Sequence, residues 1–519
     1  MGSAPQFQHA LALSKFDLSD NNDLLVNSCE DCACPVSDNP GSRHFAPPPL
    51  PAASPSSLWE CASGTLDSAI DAEHRLLFNP LGTCGAIVVN DAAYGVYRSF
   101  TQPTAPVDVI GSHRALGAEA EDIFQRLGRL QLIHPVGQPS APQFRDTQVL
   151  TAWLHVTNGC NLRCPYCYIN KSAEPMDESV GRAAVAAVVK SAVTHGFPAV
   201  KLKYAGGEAS LNHTLVMKLH KYASELTADA GLELRATLLS NGVRLPAGLF
   251  EFCKAEGIRV MISLDGLAEQ HDVQRPFANG KPSFHLVERT IERLIEQGCP
   301  PHLSITITGR NTTGLGDVTR FALERELTFS LNLFRDNECA ASFQDLQYEE
   351  QGIIDGMLGA FGVIEEFLPR WSVLGAVLDR GQLLEPRQRS CGVGRDYVVI
   401  DQRGGVAKCH MEIERTLGDV FHDDPLRLVA DDRTGTLNLL SDEKEGCRDC
   451  TWRYWCSGGC TVATFRATGR YDVKSPNCNI YRAIYPQALR LEALRLLKYA
   501  RPEQLAAVRL GGVSVGQTR

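Results

Sequence analysis

Apolar runs and helical patterns alternate along the middle of the chain. Six runs rich in β-branched residues recur at intervals of about 30 residues, each followed by a helical pattern. The runs are TAWLHVT, AVKLKYA, ELRATLLS, RVMISL, HLSITIT and FSLNLF. This alternation predicts parallel strands joined by right-handed crossovers. Because six units cannot close an eight-fold barrel, we expect a partial (β/α)6 TIM-like barrel over residues 150–335, with its chemistry at the C-terminal strand ends.

The flanking regions follow other patterns. Residues 1–65 have little apolar periodicity and contain PPPLPAASPSS, which predicts a poorly ordered extension. Residues 66–145 predict a winged-helix-like module: a strand pair (HRLLFNP and GAIVVN), a helix from Asp91 to Phe100, and a helix from about Gly117 to Leu130. Three more regions complete the prediction. A helical linker covers 336–390, with its helix from about Gln347 to Leu384, and an irregular cysteine-rich domain covers 391–482. The last region, 483–519, contains an amphipathic helix from Ala483 to Ala500 and then a tail.

Charge and composition narrow the class of partner. A net charge of −9 gives no overall reason to expect nucleic acid or an anionic membrane as a partner. Helix 117–130 (GAEAEDIFQRLGRL) is also a poor surface for phosphates, which argues against a DNA-binding winged helix. The N-terminal sequence lacks a secretory pattern and no stretch has the ~18 apolar residues of a membrane span. We therefore expect a cytoplasmic protein whose 18 cysteines are thiols or metal ligands.

Three cysteines follow the first barrel strand in CNLRCPYCY, namely Cys160, Cys164 and Cys167. Three closely spaced thiolates can hold three irons of a [4Fe–4S] cube and leave the fourth iron open to an external ligand. A structural zinc site is the alternative. Zinc normally takes four protein ligands, however, and no fourth ligand lies nearby in the sequence.

This loop resembles the CxxxCxxC signature of the radical S-adenosylmethionine (SAM) superfamily, with Tyr166 as the aromatic residue before the last cysteine. Further motifs follow at strand ends in the family's order: YAGGEASL, LLSNG, ISLDG, HDVQRPFANGKPSF and ITITG. Each alone is typical of a turn, but five in order favour a nucleoside site. The resemblance implies that the SAM-binding residues are Tyr166, Gly206, Gly207, Glu208, Ser240, Asn241, Ser263, Asp265, Arg275 and Thr306.

In that scheme Glu208, with the backbone of the two glycines, receives the methionine ammonium. Arg275 receives the carboxylate through its guanidinium fork. Ser263 and Asp265 offer hydrogen bonds to the carboxylate or ribose, and Thr306 lies in the segment that would line the adenine.

Seven cysteines downstream have the pattern C-x12-G-x4-C, then C-x2-C-x5-C-x3-C, then C. They resemble the SPASM extension of peptide-modifying radical SAM enzymes. That resemblance assigns one auxiliary cluster, nearer the barrel, to Cys391, Cys409 and Cys460. It assigns a distal cluster to Cys447, Cys450, Cys456 and Cys478. Two zinc ribbons are the alternative.

Seven thiols cannot fill two four-cysteine sites. Where some relatives have an eighth cysteine, this chain has Glu385, Arg387 and Arg389. The nearer cluster therefore keeps an open fourth position for substrate sulfur, water or a residue such as His410. The role of Cys29, Cys32 and Cys34 stays open.

The resemblance implies a peptide maturase with three [4Fe–4S] clusters that cleaves SAM to a 5′-deoxyadenosyl radical. Residues 74–137 resemble precursor-recognition domains, which bind the leader of a ribosomal precursor peptide as an added strand. The expected reaction is an oxidative cross-link (C–C, C–O or thioether), with electrons from a donor such as flavodoxin or ferredoxin. No catalytic acid or base can be named. The alternatives are maturation of a folded protein, as in sulfatase maturation, and a non-catalytic iron–sulfur redox protein.

Overall fold

The computed structural model of the protein describes residues 12–14, 48–54 and 56–500. The cysteines at 29, 32 and 34 and the predicted tail beyond residue 500 lie outside these residues. No helix in the described part of the chain is both long and apolar enough to span a membrane.

The N-terminal module contains a four-stranded antiparallel sheet in the order β1-β5-β4-β3, a two-stranded ribbon of β2 and β6, and three helices. The elements are β1 (Ala12–Ser14), β2 (Trp59–Cys61), β3 (Leu66–Ala69), β4 (His74–Phe78), β5 (Ile87–Asn90), α1 (Asp91–Arg98), α2 (Pro106–Ser112), α3 (Glu119–Arg129) and β6 (Ile133–Pro135). The predicted strand pair is present as β4 and β5, and both predicted helices are present.

The two faces of this sheet pack on different partners because side chains alternate along a strand. Leu77 and Val89 belong to the module's own core with the helices, whereas Leu76 and Phe78 belong to the core of the main body. The Phe78 ring stacks on Trp452 at 5.3 Å. The module is therefore packed against the cysteine-rich region.

The prediction of a poorly ordered extension to residue 65 is wrong for two segments that the structure describes. Trp59–Cys61 forms β2, and Ala12–Ser14 forms β1. The Trp59 ring is only 2% exposed and meets Phe124 edge-on at 4.9 Å. Burial of one large aromatic side chain stabilises this short strand, and so short a run gives no periodic signal in the sequence.

The middle of the chain contains the six expected parallel strands in sequential order. The strands are β7 (Val149–His155), β8 (Ala199–Ala205), β9 (Glu233–Ser240), β10 (Arg259–Ser263), β11 (His302–Ile307) and β12 (Phe329–Leu333). The helices are α4 (Glu178–Thr194), α5 (His213–Asp229), α6 (Ala247–Ala255), α7 (Glu269–Gln274), α8 (Phe284–Glu296) and α9 (Leu315–Glu324). The predicted α/β fold with a mostly parallel sheet is confirmed.

Beyond the barrel, the cysteine-rich region continues the same sheet. The remaining elements are α10 (Glu350–Phe367), β13 (Tyr397–Ile400), β14 (Gly405–Ala407), β15 (Gly418–Asp419), α11 (Pro425–Asp431), α12 (Arg453–Cys456), α13 (Thr461–Thr468) and α14 (Cys478–Tyr499). Strand β13 pairs parallel to β7, and β14 and β15 follow antiparallel, which gives nine strands in all. We did not predict that the cysteine-rich region would join the barrel sheet.

Two predicted helices have different bounds. The linker helix ends at Phe367 and not near residue 384, because Leu368 adopts a left-handed conformation (φ 43°) and is followed by Pro369. The last helix starts at Cys478, five residues before the predicted start, so a predicted cluster cysteine lies in its first turn.

Candidate functional site

The three loop thiols lie at the wall of one cavity of about 230 Å³ at the barrel mouth. The loop begins where β7 ends at His155. Its turns are held by backbone bonds, including that from the Cys167 N–H to the Cys164 carbonyl (3.1 Å). Burial raises the pKa of Cys164 to about 12, and a metal would have to displace that proton. The three thiols are thus presented together to one space.

Gly206 and Gly207 follow β8 and pack directly on the cysteine loop. A Cβ at Gly206 would lie 2.5 Å from the Thr157 carbonyl oxygen, and a Cβ at Gly207 would lie 2.4 Å from that of Gly159. The glycines therefore let two strand ends approach each other, which fixes the loop beside the end of β8.

Glu208 joins the ends of β8 and β9. Its carboxylate is 2% exposed and accepts bonds from Ser240 Oγ (2.9 Å) and the Asn241 N–H (2.6 Å). Burial raises the pKa of this carboxyl group. The Asn241 amide in turn donates to Asn161 in the cysteine loop (2.7 Å). The motifs of two strands and the loop thus form one hydrogen-bonded network.

Asp265 has a different place from the one we predicted. It is fully buried and is not among the residues that line the cavity. Its carboxylate accepts bonds from Arg275 Nε (2.7 Å), the Thr306 N–H (2.8 Å) and the Tyr166 hydroxyl. Asp265 positions Arg275 and Tyr166, which do line the cavity, and its own hydrogen bond to the cofactor stays a prediction. Ser263 lies at the cavity wall as predicted.

The lining of the cavity is strongly basic. It contains one carboxylate, Glu208, and four permanently basic side chains, which are Lys171, Arg275, Arg335 and Arg380. Burial alone would lower the pKa of Lys171, but the neighbouring Cys167 thiolate raises it. Such a lining suits anions, such as cluster thiolates and a carboxylate. No sequence motif marks Lys171, Arg335 or Arg380.

These residues fit an iron–sulfur cluster and SAM. Three thiols are available on the cavity, and the indole N–H of Trp153 is buried there without a protein partner. A four-iron cube offers a separate iron to each thiolate. Across residues 12–14, 48–54 and 56–500, no three His, Cys, Asp or Glu side chains converge on a single-ion site.

The four cysteines predicted for the distal site surround one small cavity of about 20 Å³. These cysteines are Cys447, Cys450, Cys456 and Cys478. Arg482 donates to Cys450 Sγ (3.5 Å), and burial raises the pKa of Cys456 to about 12. The structure thus brings the four cysteines predicted for the distal cluster together on one cavity.

The three cysteines predicted for the nearer site also lie together. Cys391 and Cys409 share one buried cluster with Cys460 packed against it. Burial alone would raise the pKa of Cys460, but Arg335 and Arg380 lower it. Both arginines also line the barrel cavity, so Cys460 is adjacent to residues of the cavity wall.

The candidate fourth ligands of the nearer group differ in position. Glu385 lies 3.5 Å from Arg145, and Arg387 donates to the Arg380 carbonyl (2.7 Å), so both are engaged elsewhere. His410 stacks on Trp153 at 4.7 Å and lines the barrel cavity. His410 is thus the residue that lies between the two sites.

Lys444 is a residue that sequence reasoning missed. It is completely buried, and its ammonium lies near Cys447 and Cys456 of one group and Cys391 and Cys460 of the other. Burial lowers its pKa, and the thiolates oppose that effect. A buried ammonium is costly unless it is hydrogen-bonded or lies near anions, and Lys444 Nζ donates to the Ser457 carbonyl (3.4 Å). No sequence motif marks it.

A parallel half-barrel with an open three-thiol loop at its mouth is the architecture of SAM-cleaving iron–sulfur enzymes. Residues 154–322 match the Radical SAM superfamily, so this part of the chain is a radical SAM domain. Enzymes of this superfamily use a [4Fe–4S] cluster and SAM.

Relatives of known function include maturation enzymes. The chain is 30% identical over 171 residues to the sporulation killing factor maturation protein SkfB of Bacillus subtilis (strain 168), covering 33% of this chain but only 38% of SkfB. It is 23% identical over 331 residues to the cysteine-type anaerobic sulfatase-maturating enzyme of Clostridium perfringens (strain ATCC 13124), covering 59% of this chain and 86% of that protein.

A solved structure shares the fold. Native anSMEcpe with bound AdoMet and Cp18Cys peptide superposes with a TM-score of 0.55 at 19% identity, covering 68% of this chain and 99% of that chain.

Proposed function

We propose that the chain is a SPASM-type radical SAM maturase that installs an oxidative cross-link in a ribosomal precursor peptide. One observation carries the proposal: a single cavity is lined by the three loop thiols and also by Arg335, Arg380 and His410, which adjoin Cys409 and Cys460. A substrate in this cavity would lie between a radical-generating site and an electron acceptor.

The chain's residues have separate tasks in this scheme. Cys160, Cys164 and Cys167 would hold the first cluster, and Glu208 with the backbone after β8 would receive the methionine ammonium. Arg275, held by Asp265, would bind the methionine carboxylate. When bound, the cluster and SAM supply a 5′-deoxyadenosyl radical that takes a hydrogen atom from the substrate.

Cross-link formation removes two hydrogens from the peptide in total. The first leaves as a hydrogen atom to the radical, and the second leaves as a proton and an electron. The nearer cysteine group is adjacent to the cavity and would hold the electron acceptor, and the distal group would carry the electron onward. Three [4Fe–4S] clusters in one chain suit such a net oxidation. Flavodoxin or ferredoxin in the cytoplasm would supply the electron that starts each cycle.

The N-terminal module would recognise the leader of the precursor. Its sheet and three helices form a unit packed on the cysteine-rich region, and strand addition to a sheet edge is a common way to bind peptides. SkfB is by its name a maturation protein for a killing factor, which supports a peptide substrate.

The test is anaerobic turnover of the reconstituted enzyme with a peptide encoded beside its gene. We expect 5′-deoxyadenosine in stoichiometric amount and a product about two mass units lighter than the substrate. A product of unchanged mass with an inverted α-carbon would show that the reaction is epimerisation and not cross-linking. No SAM cleavage after reconstitution would favour a redox protein.

A second candidate is maturation of a folded protein. The 86% coverage of a sulfatase-maturating enzyme favours it. Activity on a co-encoded sulfatase, together with no activity on short peptides, would establish this function in place of the first.

A further inference from the structure

A segment of the chain itself lies on the edge of the module sheet. Residues 12–14 form β1, which pairs antiparallel with β5 in the register Ala12–Val89, Leu13–Val88 and Ser14–Ile87. The side chains of Ala12 and Leu13 are 0% and 1% exposed. Two of the three residues of this strand are therefore almost completely buried at the edge of the module sheet.

The site that β1 occupies is formed by both the module and the main body. Arg126 of α3 donates through Nε to the Ala12 carbonyl, and α14 contacts the same strand from the body. Leu13 packs with Leu76 and Val88, whereas Ala12 joins the core under the module helices. The site therefore selects a small residue followed by a branched aliphatic residue in an extended backbone.

The opposite edge of the sheet, along β3, is less suited to binding an added strand. Strand β3 alternates between half-buried and exposed residues. Asp67 on β3 is bonded to Arg75 (2.8 Å) and to the Tyr94 hydroxyl (2.7 Å), so charged and polar groups protect that edge. Of the two edges, the one along β5 offers buried apolar contacts, and β1 covers it.

We propose that the β5 edge is the docking site for an extended peptide and that residues 12–14 are its resident occupant, which an incoming leader must displace. The identity of the incoming peptide as a precursor leader rests on the function proposed above. Because the occupant belongs to the same chain, its rebinding is intramolecular, and such tethering corresponds to roughly millimolar effective concentration. A leader with only micromolar affinity for the empty edge would bind this chain weakly.

The experiment uses the chain's own sequence as the probe. A fluorescein-labelled peptide of residues 7–20 (FQHALALSKFDLSD) is titrated with the full-length protein and followed by anisotropy. Leu13→Asp in the protein places a charge in the apolar site that β1 occupies and releases the resident strand. We expect the probe to bind this variant at least about tenfold more tightly than the unchanged protein. The same probe carrying Leu13→Asp should not bind either protein.

Two further variants make the result decisive. Leu58→Asp changes an exposed leucine (47%) and should leave probe affinity as in the unchanged protein. Ala12→Arg should act like Leu13→Asp. Equal probe affinity in all four proteins overturns the proposal. The proposal is also overturned if both β1 variants unfold, that is, if they lose the thermal transition that Leu58→Asp retains. In that case β1 would be a permanent strand of the sheet.

The readout needs neither SAM nor a cluster. A failed cross-linking assay would therefore count against the proposed function and leave the strand exchange standing, and the reverse holds if only the anisotropy assay fails.

Discussion

The loop that follows β7 and the distal cysteine group both present cysteine thiols, but to cavities of very different size. The loop places three thiols on a cavity of about 230 Å³ together with the polar residues of four strand ends. The distal group closes four thiols around about 20 Å³, beside Arg482 and Lys474. A metal site that keeps an open position can bind reactants, whereas a closed one can hold the fold or pass electrons. In the proposed function, the open loop would therefore carry the chemistry and the closed distal group would pass electrons.

The nearer group lies between these extremes. It has three thiols like the loop, but Cys391 and Cys409 are only 8% exposed. Its route to the barrel cavity runs through Arg335 and Arg380, which lie beside Cys460.

The largest expected effect is the loss of SAM cleavage on removal of a loop thiol. Cys164→Ala leaves only two loop ligands, and we expect 5′-deoxyadenosine formation to fall by at least about 10³-fold, because uncatalysed cleavage is very slow. Chromatography of the quenched reaction measures it. Cys299→Ala, which changes a half-buried cysteine outside all three groups, is the matched control and should keep full activity.

The same substitution in the distal group should separate SAM cleavage from product formation. Cys450→Ala removes one of four ligands, so we expect the cross-linked peptide to fall by at least about 100-fold while 5′-deoxyadenosine stays within about threefold. Mass spectrometry and chromatography of one reaction give both values. Equal loss of both products would mean that the distal group does not act separately from the loop.

Loss of the Arg275 side chain should have a smaller effect, which is weaker binding of SAM. Arg275→Gln removes a charged donor worth about 1.5–3 kcal/mol, so the SAM dissociation constant should rise roughly 10–100-fold in equilibrium dialysis. Asp265→Asn should give a smaller rise, because Arg275 remains but loses its anchor. Arg320→Gln, which breaks a surface pair with Glu366, should change nothing. An Asp265 variant with unchanged SAM affinity would contradict the positioning role.

The smallest effect concerns Lys444, which lies between the two C-terminal groups. Lys444→Met removes a buried positive charge near thiols of both, so the reduction potentials of both auxiliary clusters should fall. Lys444→Arg keeps the charge and should restore them. Redox titration followed by electron paramagnetic resonance measures the shift, and a change in only one potential would place Lys444 with one group alone.

The parallel strands were predictable because they depend on local pattern, whereas the grouping of the downstream cysteines followed only from the resemblance to a family. Six apolar runs with helical intervals specify parallel strands, and the loop cysteines follow the first of them directly. The position of each residue at a strand end set the place of Gly206, Glu208 and Ser240 on one cavity.

Long-range packing decided what the sequence did not reveal. In ISLDG the side chain of Asp265 turns away from the cavity towards Arg275, and no local pattern specifies that direction. Strand β13 joins the barrel through pairing with a strand about 250 residues earlier in the chain. Lys444 has its role only because two cysteine groups meet around it.

The central claim is that one open cluster site and two others share the chain. Electron paramagnetic resonance of the reduced, reconstituted protein, with and without SAM, tests it most directly. We predict about twelve irons per chain and three cluster signals, of which SAM shifts one, and that signal should vanish in Cys164→Ala and persist in Cys450→Ala. SAM-insensitive signals, or a SAM-shifted signal that survives in Cys164→Ala, would contradict it.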